Sequence, residues 1–82
     1  MKDSRQSATE VIEYFDEWLG LPRYEYFGTV HLFSLRLPPE MLTKAAFIAM
    51  DKIPKGHVDG FKYFCGVCHQ MIRDREEWLV SN

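Results

Sequence analysis

Four prolines, at positions 22, 38, 39 and 54, divide the 82-residue chain into stretches that no single helix crosses. Proline lacks the amide hydrogen that a helix interior needs, and its ring collides with the preceding turn, so each one opens or ends an element. Before Pro22, Ser7-Ala8-Thr9-Glu10 has the Ser-x-x-Glu form of a capping box and starts a helix. Val11, Phe15 and Trp18 stand at i, i+4 and i+7, Ile12 and Leu19 widen that stripe, and Glu13, Asp16 and Glu17 take the other side. Gly20 supplies a left-handed C-cap, Leu21 folds back on the last turn, and Pro22 forbids continuation.

Residues 23 to 37 fit two templates. Gly28-Thr29 between two aromatic and aliphatic runs suits a type II′ hairpin turn. Tyr26, Val30, Phe33 and Leu37 also fall at helical spacing, with Pro22 placed for a first helical position, and the helix is the preferred reading. Pro38-Pro39-Glu40 opens the third element. Met41, Leu42, Ala45, Ala46, Ile48, Ala49, Met50 and Ile53, with Lys44, Asp51 and Lys52 as the main polar positions, predict the most buried helix, whose alanines admit a close neighbour. Pro54 ends it. Residues 55–60 form a loop in which Asp59 caps a last helix running from about Phe61 to about Leu79. Its apolar stripe comprises Phe61, Phe64 or Cys65, Cys68, Ile72 and Leu79, broadened by Tyr63, Val67, Met71 and Trp78, and residues 73–77 mix charges on a water-facing surface.

The expected fold is therefore an all-α, compact bundle of about four helices forming one domain over residues 1–82, with residues 1–6 a flexible N-terminus. The alternative is a helix, a β-hairpin at 23–36 and two helices. At 46% hydrophobic and 27% charged residues the composition is globular, which excludes a disordered tail.

Ten Lys and Arg against twelve Asp and Glu give a net charge of −2, which disfavours sequence-independent duplex binding. Five of the twelve acids lie in residues 1–19, so a local basic face remains compatible with the rest. No apolar run reaches membrane-spanning length and the first residues lack the hydrophobic region of a secretory signal, so a cytoplasmic protein with reduced Cys65 and Cys68 and no membrane partner is expected.

Cys65-Gly66-Val67-Cys68-His69 spells the C-x-x-C-H attachment sequence of a covalent c-type haem, a chemistry that requires export. Zinc is a second reading, with Cys65, Cys68, His69 and a fourth ligand from His57, although common zinc modules draw their second ligand pair from farther away. A thioredoxin-like pair would begin its helix rather than sit in the second turn. The preferred reading makes the cysteines small apolar residues which, with Gly66, form a tight helix–helix contact, so no cofactor is expected. Asp16-Glu17 and Glu76-Glu77 are neighbours on solvated faces, Ser4, Ser7, Ser34 and Ser81 lie in no nucleophile motif, and no glycine-rich phosphate loop is present. An enzyme is not indicated.

Tyr24, Tyr26, Phe27, Phe33, Phe61, Tyr63, Phe64 and Trp78 exceed the evident needs of so small a core. Exposed Tyr and Trp anchor protein interfaces, and they stack on single-stranded bases where cations such as Arg23, Arg36 or Lys62 are near. Pro39-Glu40-Met41-Leu42, followed by Ala45-Ala46, Ala49, a short loop and the run from Phe61 to Cys68, resembles the C-terminal helical domain of DnaD-type primosome proteins, with related segments in plasmid and phage replication initiators. The resemblance covers residues 38–72. It implies a non-enzymatic module that helps assemble proteins on DNA, with Lys62, Tyr63 and Phe64 near its contact surface. Arg23, Tyr24 and Trp78 complete the expected binding set, for a protein partner and, secondarily, nucleic acid. The alternatives are a small phage-encoded inhibitor that binds a host protein through the acidic first helix (Glu10, Glu13, Asp16, Glu17), and a small zinc protein.

Overall fold

The amphipathic stripes fold as helices throughout. The computed structural model describes residues 4–57 and 59–81, with the backbone alone at 4, 5 and 77–81. Helices α1 (Ser4–Trp18), α2 (Phe27–Arg36), α3 (Pro39–Lys52) and α4 (Gly60–Ser81) follow in order, with a short 3₁₀ turn, Arg23–Glu25, ahead of α2. No strand occurs among the described residues, so 23–36 is helical rather than a hairpin. Of the expected flexible N-terminus, residues 1–3 lie outside the described residues and residues 4–6 belong to α1.

Ser7 is not the cap of α1. It lies a turn inside the helix, fully buried, and its hydroxyl donates to the Pro39 carbonyl at 3.0 Å and lies 3.3 Å from the Thr43 hydroxyl. The reason is that Ala8, also fully buried, extends the apolar stripe below Val11, so the first turn packs on α3 instead of ending at solvent. At the other end Gly20 adopts φ +66°, the left-handed conformation expected of it. Pro22 precedes the 3₁₀ turn and is not the first residue of α2, which starts five residues later.

Two bonds tie the α3–α4 loop to the end of α1: Trp18 Nε1 donates to the Ile53 carbonyl at 3.0 Å, and the Gly56 amide donates to the Trp18 carbonyl at 2.7 Å. With Ser7 at Pro39 and Trp18 at Ile53, α1 and α3 run parallel. The pairs Phe33–Phe64 and Arg36–Glu76 show that α2 and α4 run parallel to each other. Asp59 stands at the N-cap of α4, where its carbonyl accepts the Tyr63 amide.

Leu42, Ala45, Ala46 and Ala49 are fully buried, and the alanines let α3 approach both α1 and α4 closely, as their pattern predicts. Close backbone packing joins α2 to α1, α1 to α3 and α3 to α4; the α2–α4 seam is looser and is bridged by side chains. One expectation fails on α4. Gly66 faces open space, with nothing within 4 Å of where a Cβ would stand, so it makes no tight helix contact. Glycine in a helix interior costs about 0.5–1 kcal/mol relative to alanine. Gly66→Ala is therefore expected to stabilise the fold by about that amount, read as a higher midpoint in urea unfolding.

Candidate functional site

Helix α2 has apolar residues on both faces. Val30, Phe33 and Ser34 turn inward, while Gly28, Leu32 and Leu35 crest the opposite side, with Leu32 and Leu35 65% and 79% exposed. Phe27 and His31 flank the crest towards α1, where they border a small hollow with Ile12, Glu13 and Arg23. Thr29 and Arg36 flank it towards α4. There the loose seam opens into a groove of about 410 Å³ with Phe33 and Ile72 at its base and His69 on its far wall. The His69 ring lies edge-on to Phe33, with ring centroids 5.2 Å apart. Across the same seam Arg36 donates to Glu76 at 3.0 Å, and Arg75 donates to the Arg36 carbonyl at 2.8 Å, so part of the charged run expected to face only water reaches α2.

A broader hollow of about 690 Å³ lies on the outer face of α3 around Thr43, Phe47 and Ile48, and Phe47 packs on Tyr14 with ring centroids 5.3 Å apart. Its rim mixes Glu40, Lys44 and Asp51, so it presents no consistent sign of charge.

The expected binding residues are divided by the fold. Phe64 is a core residue and not a surface contact: it is fully buried, with its ring centroid 4.8 Å from that of Phe15 and 5.9 Å from that of Phe33, because its position on α4 points between α1 and α2. Lys62 and Tyr63 are exposed beside it. Tyr24 is 79% exposed on the 3₁₀ turn, and the Tyr26–Phe61 ring contact brings that turn alongside the start of α4. The Trp78 side chain lies outside the described residues. Leu32, Leu35 and Phe47 were not singled out by sequence reasoning, whereas Phe27 was among the surplus aromatics; for the two leucines the available signal was that α2 carries apolar residues on both faces, more than one buried face requires.

Arg23 has a structural partner. It bonds Asp16 through both Nε and Nη2, and the buried Tyr26 hydroxyl donates to the same carboxylate, so the three residues pin the 3₁₀ turn to α1. The Arg23 bonds, then the Tyr26 hydroxyl, hold the Asp16 carboxyl below its usual range. Of the acidic face of α1, Asp16 is thus engaged internally, while Glu13 and Glu17 remain on the surface.

The cysteine cluster is not assembled as a ligand set. Cys68 is fully buried and Cys65 half-buried, His69 packs on Phe33, and His57 accepts the Asp59 amide through Nδ1 at 3.1 Å. Among the described residues no group of three or more His, Cys, Asp or Glu is placed to hold a metal ion. Burial, followed by the neighbouring Cys65, pushes the Cys68 thiol up to about 12, away from the thiolate that metal binding or nucleophilic chemistry needs.

Burial also raises the Tyr26 hydroxyl to about 12, with its bond to Asp16 as the next cause. Both groups have folded values above their unfolded ones of 10.0 for Tyr26 and 9.0 for Cys68, so their contribution to stability is complete below pH 9 and disappears as pH rises towards 12. Urea midpoints are expected to fall across that alkaline window, and Tyr26→Phe is expected to make the fall shallower. Asp16 acts in the opposite sense: its contribution is present above the unfolded value of 3.8 and is lost in stronger acid.

No helix among the described residues is long and apolar enough to cross a membrane. No protein-family model, curated protein or solved structure matches this chain.

Proposed function

We propose that this chain is a non-enzymatic helical binding module that acts in DNA transactions in the cytoplasm by docking on another protein. The observation that carries the reading is the crest of α2, where Leu32 and Leu35 stand in solvent beside a groove. A domain of this size has few large aliphatic side chains, and leaving two of them adjacent and exposed forgoes burial worth about 1.5–3 kcal/mol each. A partner that covers them recovers that free energy. The DNA setting comes from the resemblance of residues 38–72, which here span α3, its loop and most of α4. The net charge of −2 argues for a protein contact ahead of a phosphate contact.

The test is affinity capture from the host cytosol with the wild-type chain and with the double variant Leu32→Asp/Leu35→Asp. Proteins of DNA replication are expected with the wild type and are expected to fall by at least about tenfold with the variant, as for loss of central apolar anchors. Identical captures from the two chains would remove the docking reading. Fluorescence anisotropy with single-stranded and duplex DNA across a salt series measures direct DNA contact; no binding at low salt leaves the protein partner as the link to DNA.

A further inference from the structure

We infer that the α2–α4 seam receives an amphipathic helix flanked by carboxylates, an inference that rests on the docking reading above and names its partner by chemistry. The argument begins with where the chain's own acids are. None of the twelve lies in residues 27–36 or 60–73, so α2 and the first fourteen residues of α4 carry Arg36, Lys62, Arg73, His31 and His69 with no carboxylate among them. Among the described residues the acids instead occupy α1, the 3₁₀ turn, α3, the loop and the end of α4. Among the described side chains Glu76 reaches the seam, and Arg36 holds it at 3.0 Å. The opposite flank of α2 does carry an acid, since Glu13 borders the hollow beside Phe27 and His31. The crest of leucines therefore has two cations, Arg36 and Arg75, against the one carboxylate of Glu76 on its α4 side, and Glu13 beside an Arg23 already paired with Asp16 on its α1 side, which orients what can lie there.

Shape narrows the occupant further. Leu32 and Leu35 are one turn apart, the groove next to them is floored by Phe33 and Ile72, and Gly28 continues the crest with nothing near its absent Cβ. That glycine is not required by the chain's own packing, and it lets an incoming backbone approach closely. An apolar stripe laid on Leu32, Leu35 and Ile72 brings the flank of an incoming helix beside Arg36, Arg75 and His69, with Arg73 one helical turn on from His69, where carboxylates are complementary and lysines are repelled. A second copy of this chain, related by a two-fold axis through the seam, would place Arg36 and Arg73 against their own counterparts. A nucleic-acid strand would meet aliphatic side chains at the crest, which neither stack on bases nor bond to phosphates.

The test uses the whole 82-residue protein and a fluorescein-labelled synthetic helix with leucines on one face and glutamates on its flanks. Control probes are the same peptide with lysines for the glutamates and a single-stranded oligonucleotide. Saturable anisotropy is expected with the glutamate peptide alone. Leu35→Asp, at a side chain so exposed that the fold is untouched by circular dichroism, is expected to weaken binding by about tenfold or more, and Arg73→Glu is expected to weaken it and to flatten its salt dependence. Amide cross-peaks that shift on titration are expected to map to α2 and α4. Equal binding of the lysine peptide, no binding of the glutamate peptide, or indifference to Leu35→Asp overturns the inference. So does binding of the oligonucleotide alone, or a sedimenting dimer that Leu35→Asp dissociates, and each names the occupant that replaces the acidic helix. If the glutamate peptide fails while Leu32→Asp/Leu35→Asp still strips the captured partner, docking stands and only the acidic chemistry falls; if that variant changes neither, both fall.

Discussion

Phe15→Ala is expected to destabilise the protein by about 3–5 kcal/mol, the range for removing a fully buried phenylalanine from a close-packed core. Phe15 is where the helices meet: its ring centroid lies 4.8 Å from that of Phe64, 5.3 Å from Trp18, 5.8 Å from Tyr26 and 6.4 Å from Phe61. Those rings come from α1, α4 and the residue that joins the 3₁₀ turn to α2, so the vacancy would be shared by three elements. None can collapse into it without drawing another out of place. At roughly 0.05–0.15 kcal/mol per residue, a chain of this length has about 4–12 kcal/mol in total, and the substitution removes a large part of it. Urea unfolding followed by circular dichroism at 25 °C is expected to show a much lower midpoint, or no native baseline. Phe27→Ala, at a half-exposed ring on the outer face of α2, is the matched control and is expected to shift the midpoint little. Equal effects of the two substitutions would mean that the aromatic cluster does not hold the fold together.

Gly60→Ala is expected to destabilise the fold by about 1–2 kcal/mol, opposite in sign to the same change at Gly66. A Cβ at Gly60 would stand 2.9 Å from Trp18 Cη2 and Cζ2 and 3.1 Å from Leu19 Cδ2. The atoms in the way belong mostly to a rigid indole that is buried and tied through Nε1 to the Ile53 carbonyl, so relief requires moving α4 or breaking that bond. Overpacking of this kind costs about 1–3 kcal/mol, offset in part by the gain of about 0.4–1 kcal/mol from a stiffer unfolded chain. Paired denaturation curves for the two alanine variants are the check. Stabilisation by both would show that the start of α4 has slack against α1.

The order and number of helices were legible because proline and apolar periodicity act locally. Pro38-Pro39 and Pro54 bound α3, Gly20 caps the end of α1, and Tyr26, Val30, Phe33 and Leu37 all reach the core as their spacing predicts. What was not legible depends on which side of a helix meets a neighbour. Ser7 suits a cap by its sequence, yet Ala8 below Val11 gives that turn a surface to pack on. Phe64 and Tyr63 are equally aromatic and adjacent, and the approach of Phe15 and Phe33 from other elements decides that Phe64 is inside. Helix α2 presents the clearest case. Its outer Leu32 and Leu35 are as apolar as its inner Val30 and Phe33, so periodicity cannot rank the two faces, and the candidate site became visible only once α1 had claimed one of them.

The bonds at both ends of α1, from Ser7 to Pro39 and from Trp18 to Ile53, bear on how the bundle yields under load. A slip of α1 along α3 would break both at once, so those two helices form a frame that resists shear. Compliance is left to the opposite wall, where α2 and α4 meet through Phe33 and the Arg36–Glu76 pair. Whatever wedges between them spreads one flexible edge while the frame keeps its register.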